Sequence, residues 1–343
     1  MACPTALGPR RLLATGIGLG GGEPDGVGVN RFALYFLAGW AILFWIGDLA
    51  LQIALVRLTP MADPSSYTFG ASNLLAGRPI YAAFQLAGPY RLIDAANGHG
   101  FIYPPTAALL FAPLGTAAWT VVVLAAWASF AALAYRVALG AELPSHAALV
   151  VAAVVAFSGP AINAACSGNV NLLVADGLLA SWLWPRSAGY LAVLGGLIKL
   201  FPAAGLVWAL RKGGSVLGPV AIGVVVVAVA TAFVGMGGWH DFLVAVANGR
   251  SSSWYLVPSP IQALGPGIGT VVGYGAAGLA LAGASWIRNE RVAFALLGWA
   301  MILPAPDWWS HYLLVPLAAI LPFAAGRLAQ ASEARKLRQS PAL

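Results

Sequence analysis

The sequence predicts an all-α, polytopic integral membrane protein of about ten transmembrane helices. Three observations lead there. The 343 residues are 60% hydrophobic and only 8% charged, whereas soluble domains carry about 25% charged residues. Mean hydropathy is +0.83, and the apolar residues gather into runs that approach or exceed the roughly 20 needed to cross a bilayer. The basic residues sit mostly in short loops and tails, where they anchor orientation. The net charge of +7 therefore does not indicate nucleic-acid binding.

In chain order, residues 1–31 read as a flexible cytoplasmic tail. Its Gly16–Gly22 tract has no strand before it and no helix directly after it, so it is no dinucleotide loop, and the tail lacks the compact apolar core of a signal peptide. An integral domain follows over 32–327, with expected spans at 33–56, 104–116, 117–139, 146–166, 169–185, 189–210, 215–236, 265–287, 291–304 and 309–326. Some are short enough to be broken or re-entrant. Residues 328–343 form a basic cytoplasmic tail. Arg10, Arg11, Arg31, Arg211, Lys212, Arg288, Arg291, Arg327, Arg335, Lys336 and Arg338 outnumber Arg57, Arg78, Arg91, Arg136, Arg186 and Arg250 on the other side. Both termini are thus expected in the cytoplasm of a multi-pass plasma (inner) membrane protein. The loops 57–103 and 237–264 then face outward. Their Tyr67, Tyr81, Tyr90, Tyr103, Trp239, Trp254 and Tyr255 suit the headgroup zone.

The chemistry-bearing residues fall into five groups. Asp63-Pro64-Ser65-Ser66 reads as the start of a juxtamembrane helix running to about Ala76 and ended by Gly77, with Asp63 as N-cap or as a general base at the outer face. Gly100-Phe101-Ile102-Tyr103-Pro104-Pro105 sets the entry of the second span, with Tyr103 at the rim of a site. Cys166-Ser167-Gly168-Asn169-Val170-Asn171 is a polar knot that is either a turn or a ligand contact, and the layout puts it toward the cytoplasm. Lys199 falls near the middle of a span, where insertion costs about 2.5–3.5 kcal/mol. It pairs with Asp176 at matching depth or receives an anion. Asp48 raises the same question without an obvious partner. Last, His311 lies in Pro304-Ala305-Pro306-Asp307-Trp308-Trp309-Ser310-His311-Tyr312, as a phosphate contact or as part of an aromatic belt. His240 and Asp241 are weaker candidates, and His99 and His146 are read as loop residues. Cys3 and Cys166 imply neither a disulfide framework nor a metal site. With no acidic ligand cluster, no metal or other cofactor is expected.

The order of four segments resembles glycosyltransferase family 87, the polyprenyl-phosphate-sugar-dependent membrane transferases of the GT-C superfamily. The segments are Asp63 with Tyr67 and Gly77-Arg78-Pro79-Ile80-Tyr81; Phe101-Ile102-Tyr103-Pro104-Pro105 with Pro113-Leu114; Gly168-Asn169-Val170-Asn171; and Lys199-Leu200-Phe201-Pro202. The likeness is good over about 32–212 and looser beyond, through Ser310-His311-Tyr312. The family pattern at the third segment is Gly-Gln-x-Asn, and Asn169 replaces the glutamine.

The resemblance implies a GT-C-like fold with amphipathic juxtamembrane helices in the first outer loop. It also implies transfer of a hexose, commonly mannose, from a polyprenyl-phosphate-sugar donor to a glycolipid, lipoglycan or other glycan acceptor at the extracytoplasmic face. Asp63 would be the base, and inversion follows. His311, then Lys199 and Arg78, would meet the donor phosphate. Tyr67, Tyr103, Asn169 and Asn171 are further donor- or substrate-binding candidates. The rival expectation is a transporter or flippase using Asp48, Asp176 and Lys199 within the membrane, although no internal repeat supports it.

Overall fold

A computed structural model describes residues 62–91, 100–250, 258–306 and 308–339, with 46, 47, 50 and 54 ahead of them. The N-terminal tail, the rest of the first expected span with Asp48, and His99, Trp254, Tyr255 and Asp307 lie outside the described residues. Apart from a parallel pairing of Tyr90–Arg91 with Gly249–Arg250, regular structure among the described residues is helical.

The juxtamembrane helix runs Ala62–Leu75 and ends where Gly77 adopts φ 64°, a left-handed conformation that glycine takes at no steric cost. Asp63 lies inside its first turn rather than at the expected N-cap, and there a negative charge complements the helix dipole. The helix is not a surface element. Ser66, Tyr67, Ala71, Asn73 and Leu74 are buried while Phe69 and Leu75 are exposed, so its faces differ in burial rather than polarity. Tyr67, Tyr81, Tyr90 and Tyr103 are buried too, a correction to the expected headgroup location. Each hydroxyl has a partner that makes burial tolerable: Tyr67 and Tyr103 meet each other at 3.1 Å, Tyr81 donates to the Tyr103 carbonyl at 2.7 Å and Tyr90 to the Ala245 carbonyl at 2.9 Å.

Among the described residues, four helices are long and apolar enough to cross a membrane: Ala117–Gly140, Leu217–Asn248, Pro266–Trp286 and Ser310–Ala334. Ser145–Ala156 with Gly159–Ser167, bent by 55° between them, makes a fifth if counted as one span. Exposed Val121, Val224, Val225, Phe233, Val271 and Leu279 give these helices the apolar exterior that a hydrocarbon environment favours. The remaining runs are short pieces. Pro105–Phe111, entered through Pro104 as expected, is too short to cross. Asn171–Leu183 has 13 residues and Ala188–Ile198 has 11, rises of about 20 and 16 Å against about 30 Å of hydrocarbon. Glu290–Ile302, with 13 residues, packs between Pro266–Trp286 and the last helix. The outer loop expected from residue 237 is instead helical to Asn248, past a kink at Gly235.

These short helices revise the expected layout. Residues 185–187 pack against Gly205–Arg211, and the Gly214 backbone lies near the Pro185 carbonyl. Arg186 therefore shares an end with Arg211 and Lys212, although the sequence placed them on opposite faces. Arg211 donates to the carbonyls of Ala284, Ser285, Ile287 and Arg288, capping a helix C-terminus. Lys212 pairs with Glu290 at 2.6 Å. From this basic end, Ala188–Ile198 rises antiparallel to Asn171–Leu183, and the chain turns back at Lys199.

Gly298 shows how closely the last helices approach. It lies against Ala319, with the Pro316 Cα 3.1 Å from where a Cβ would stand, a small-residue contact of the kind that lets membrane helices pack backbone to backbone. Gly298→Leu is expected to cost about 1–3 kcal/mol by overpacking, lowering the thermal unfolding midpoint in detergent. Gly278→Ala, where a Cβ meets nothing within 4 Å, should leave that midpoint unchanged.

Candidate active site

The site forms where three interrupted helices end. Gly159–Ser167 is closed by Gly168, at φ 74°. The chain then turns through Asn169 and Val170 into Asn171–Leu183. Trp119 clamps that turn, its indole N–H donating to the Gly168 carbonyl at 2.8 Å. Ala188–Ile198 stops at Lys199, whose backbone is extended (φ −141°, ψ 121°), ahead of a 3-10 turn over Phe201–Ala204 that contains Pro202. The third break precedes the last long helix, in the 3-10 turn Ser310–Leu313, which packs against Gly159–Ser167.

A chain of hydrogen bonds joins these ends to the juxtamembrane helix. The Asn169 Nδ2 donates to the Asp63 carboxylate at 2.6 Å. The Asn169 Oδ1 accepts from the backbone N–H of Asn171 at 2.9 Å. The Asn171 Oδ1 accepts from Lys199 Nζ at 3.0 Å, and its Nδ2 donates to the His311 carbonyl at 3.1 Å. Lys199 Nζ also lies 4.0 Å from the centre of the Tyr312 ring and 5.7 Å from that of Tyr103, within cation–π range. Burial disfavours the Lys199 charge, and the nearby Asp63 carboxylate offsets part of that.

Around this chain, Tyr67 accepts from the Val170 N–H at 3.3 Å, and its ring packs on Phe111 and Trp119. Burial pushes the Tyr67 hydroxyl well above the usual range, with Tyr103 and Asp63 adding to the shift. Tyr103 is raised for the same first reason, then by Asp63 and Tyr312. Both hydroxyls stay protonated and act as neutral hydrogen-bonding groups. His311 is buried, with Nδ1 2.8 Å from Asn163 Oδ1 and its ring parallel to Trp309.

Seven of the eight expected residues are thus gathered: Asp63, Tyr67, Tyr103, Asn169, Asn171, Lys199 and His311. Arg78 is not among them. It is exposed in the turn after the first helix, where its backbone N–H donates to the Asn73 carbonyl. Tyr103 is core rather than rim, at 5% exposure. The polar knot, expected toward the opposite face from Asp63, is bonded to it, because the bend at 156–159 turns the chain back. The Asp176–Lys199 alternative does not form. Lys199 lies level with Asn171, so Asp176 is more than a helical turn away along Asn171–Leu183. Asp176 lies near Ser129 instead, and its Oδ1 is buried without a hydrogen-bond partner among the described residues. His240 is exposed and 3.6 Å from Asp241, and His146 is exposed in the first turn of its helix. Asn163 was missed, since an asparagine within an apolar helix carries no motif. Among the described residues, no three His, Cys, Asp or Glu side chains are grouped as metal ligands.

Apolar-surfaced helices around a carboxylate–amide–ammonium chain define a membrane protein with an internal polar cluster. The model of glycosyltransferase family 87 matches residues 101–321, well over half of the 343 residues, and the chain belongs to that family. No curated protein and no solved structure matches it. Asn169, Asn171, Lys199 and His311 lie inside the matched stretch. Asp63 precedes it and is tied to it by the Asn169 bond.

Removing that bond's donor tests its worth. Asn169→Leu leaves the Asp63 carboxylate short of a partner and is expected to cost about 1–3 kcal/mol, read as a lower unfolding midpoint in detergent. Asp63→Asn keeps an acceptor oxygen for Asn169 and should unfold close to the wild type.

Proposed function

We propose that the protein transfers a hexose, with mannose as the sugar, from a polyprenyl-phosphate-sugar donor to a hydroxyl of a glycolipid, lipoglycan or other glycan at the extracytoplasmic face of the plasma membrane. The observation that carries this reading is the co-location of Asp63 and Lys199, opposite charges held in one network without a direct bond. Family membership supplies the reaction class.

In the proposed reaction the Asp63 carboxylate takes the proton of the acceptor hydroxyl as its oxygen bonds to the anomeric carbon. Attack comes from the face opposite the phosphate. The bond from anomeric carbon to phosphate oxygen breaks, its electron pair stays on the lipid phosphate, and the configuration inverts. Lys199 and His311 would meet the charge developing on that phosphate, a placement that lowers the barrier most where water is excluded. Tyr67, Tyr103, Asn169 and Asn171 would hold base and cation in place. Arg78, exposed in the turn after the first helix, is retained only as a contact for donor headgroups arriving from outside the cluster.

The proposed organisation keeps 32–327 as one integral transferase domain between a cytoplasmic N-terminal tail and the basic segment 328–343. The segments about 57–103 and 237–264, the second helical to Asn248, belong to the outer side in this proposal. A GT-C-like arrangement of about ten membrane segments is kept by counting the short helices as partial crossings.

Transfer of radiolabelled mannose from polyprenyl-phosphate-mannose, measured in membranes, tests the reading. Asp63→Asn should lower the rate about 10²–10⁴-fold with protein level and unfolding midpoint preserved. An undiminished rate in that variant removes Asp63 as base. Solute uptake into vesicles without sugar transfer would favour a transporter.

A further inference from the structure

Asn163 stands on the helix Gly159–Ser167, whose other interior residues are mostly small and apolar. Its side-chain oxygen lies 2.8 Å from His311 Nδ1, across 148 positions of chain. An amide oxygen only accepts, so the bond requires the proton of a neutral imidazole to be on Nδ1. The ring is held from other sides as well. Trp309 lies parallel to it at 6.1 Å and Tyr312 packs at 5.3 Å, while its backbone carbonyl accepts from Asn171. With Nδ1 occupied, Nε2 is the one ring nitrogen free to take part in chemistry.

The surroundings of this pair also point to a polar ligand. Three buried side-chain oxygens or hydroxyls have no hydrogen-bond partner among the described residues: Ser167 Oγ, Ser310 Oγ and Asp176 Oδ1. Two of them belong to this junction. Ser167 lies one helical turn beyond Asn163, and Ser310 directly precedes His311. Buried hydroxyls left unsatisfied by protein call for a partner from elsewhere.

We propose that Asn163 is the positioning residue of His311, fixing its ring orientation and its Nδ1–H tautomer so that Nε2 is presented to the phosphate of the lipid-linked donor. This rests on the His311 reading above. A neutral Nε2 carries a lone pair, so it bonds an anionic oxygen only with a proton between them. Binding of the phosphate is therefore coupled to uptake of one proton from solvent onto Nε2, and the resulting Nε2–H donates to the phosphate oxygen while Asn163 holds Nδ1–H.

Two measurements test this. The first is the side-chain nitrogen NMR spectrum of ¹⁵N-histidine-labelled protein in detergent micelles without donor, with His311 assigned by its loss in His311→Gln. Protonated Nδ1 is expected in the wild type and a mixture of tautomers in Asn163→Leu. Protonated Nε2 in the wild type overturns the proposal whatever the enzyme does. The second is kinetic, with polyprenyl-phosphate-mannose as donor. Asn163→Leu should lower kcat with the donor about tenfold, an effect of the size of a lost hydrogen bond to a charged group, with a smaller change in KM. Asn163→Asp, which keeps an acceptor oxygen, should recover most of that loss. In a His311→Gln background, Asn163→Leu should add nothing further. Additive losses in the double variant mean that Asn163 acts structurally, and overturn the proposal. If His311→Gln itself transfers normally, the phosphate reading of His311 fails instead, and the spectrum still decides the tautomer.

Discussion

A half-buried ammonium is the constraint from which the rest of the site follows. A lysine charge within the membrane costs about 2.5–3.5 kcal/mol on insertion scales and more by other measures, so Lys199 persists only where partners compensate it. The chain supplies three kinds. The Asn171 oxygen accepts one proton at 3.0 Å, and the Tyr312 face takes a second side at 4.0 Å. Asp63 adds long-range attraction. Each requirement fixes another element: Asn171 must begin its helix here, the 310–313 turn must fold over it, and Pro202 must stop the preceding helix from continuing.

Much of this was legible, and the illegible part has a physical cause. The helix from Asp63 with its stop at Gly77 follows from a favoured first-turn acid and a left-handed glycine, both local effects. The long apolar helices follow from composition. Depth does not. The run 189–210 reads as one span because Lys199-Leu200-Phe201-Pro202 is too short to lower its hydropathy, yet Pro202 and the extended Lys199 divide it. The same ambiguity misplaced the Gly168–Asn171 turn: Ser158-Gly159-Pro160 marks the 55° bend, but the apolar run on either side reads as one span. The buried tyrosines were misread for a related reason. An aromatic ring with one polar atom suits a headgroup zone and a hydrogen-bonded core equally, and only the partner decides. Asn163 gave no signal because its meaning lies in a residue 148 positions away.

The two asparagines have a further consequence for Asp63. A carboxylate and an ammonium in direct contact at about 4 Å attract by about 4 kcal/mol at an effective dielectric of 20. Such a pair would occupy the carboxylate and weaken it as a proton acceptor. Here Asn169 bonds the carboxylate, Asn171 bonds the ammonium, and the backbone N–H of Asn171 closes the link between them. Neutral amides thus satisfy part of each charged group while keeping the charges apart. In the proposed reaction the carboxylate would accept from an acceptor hydroxyl, and the ammonium would donate to a phosphate. Spacing matters as much as identity in this arrangement. The Asn-x-Asn sequence sets both amides within one turn, and the shorter asparagine at 169 spans the gap to Asp63 without a methylene to spare. In the proposed reaction the acceptor and the leaving phosphate would occupy opposite ends of this spacer, and that is the separation an in-line displacement requires.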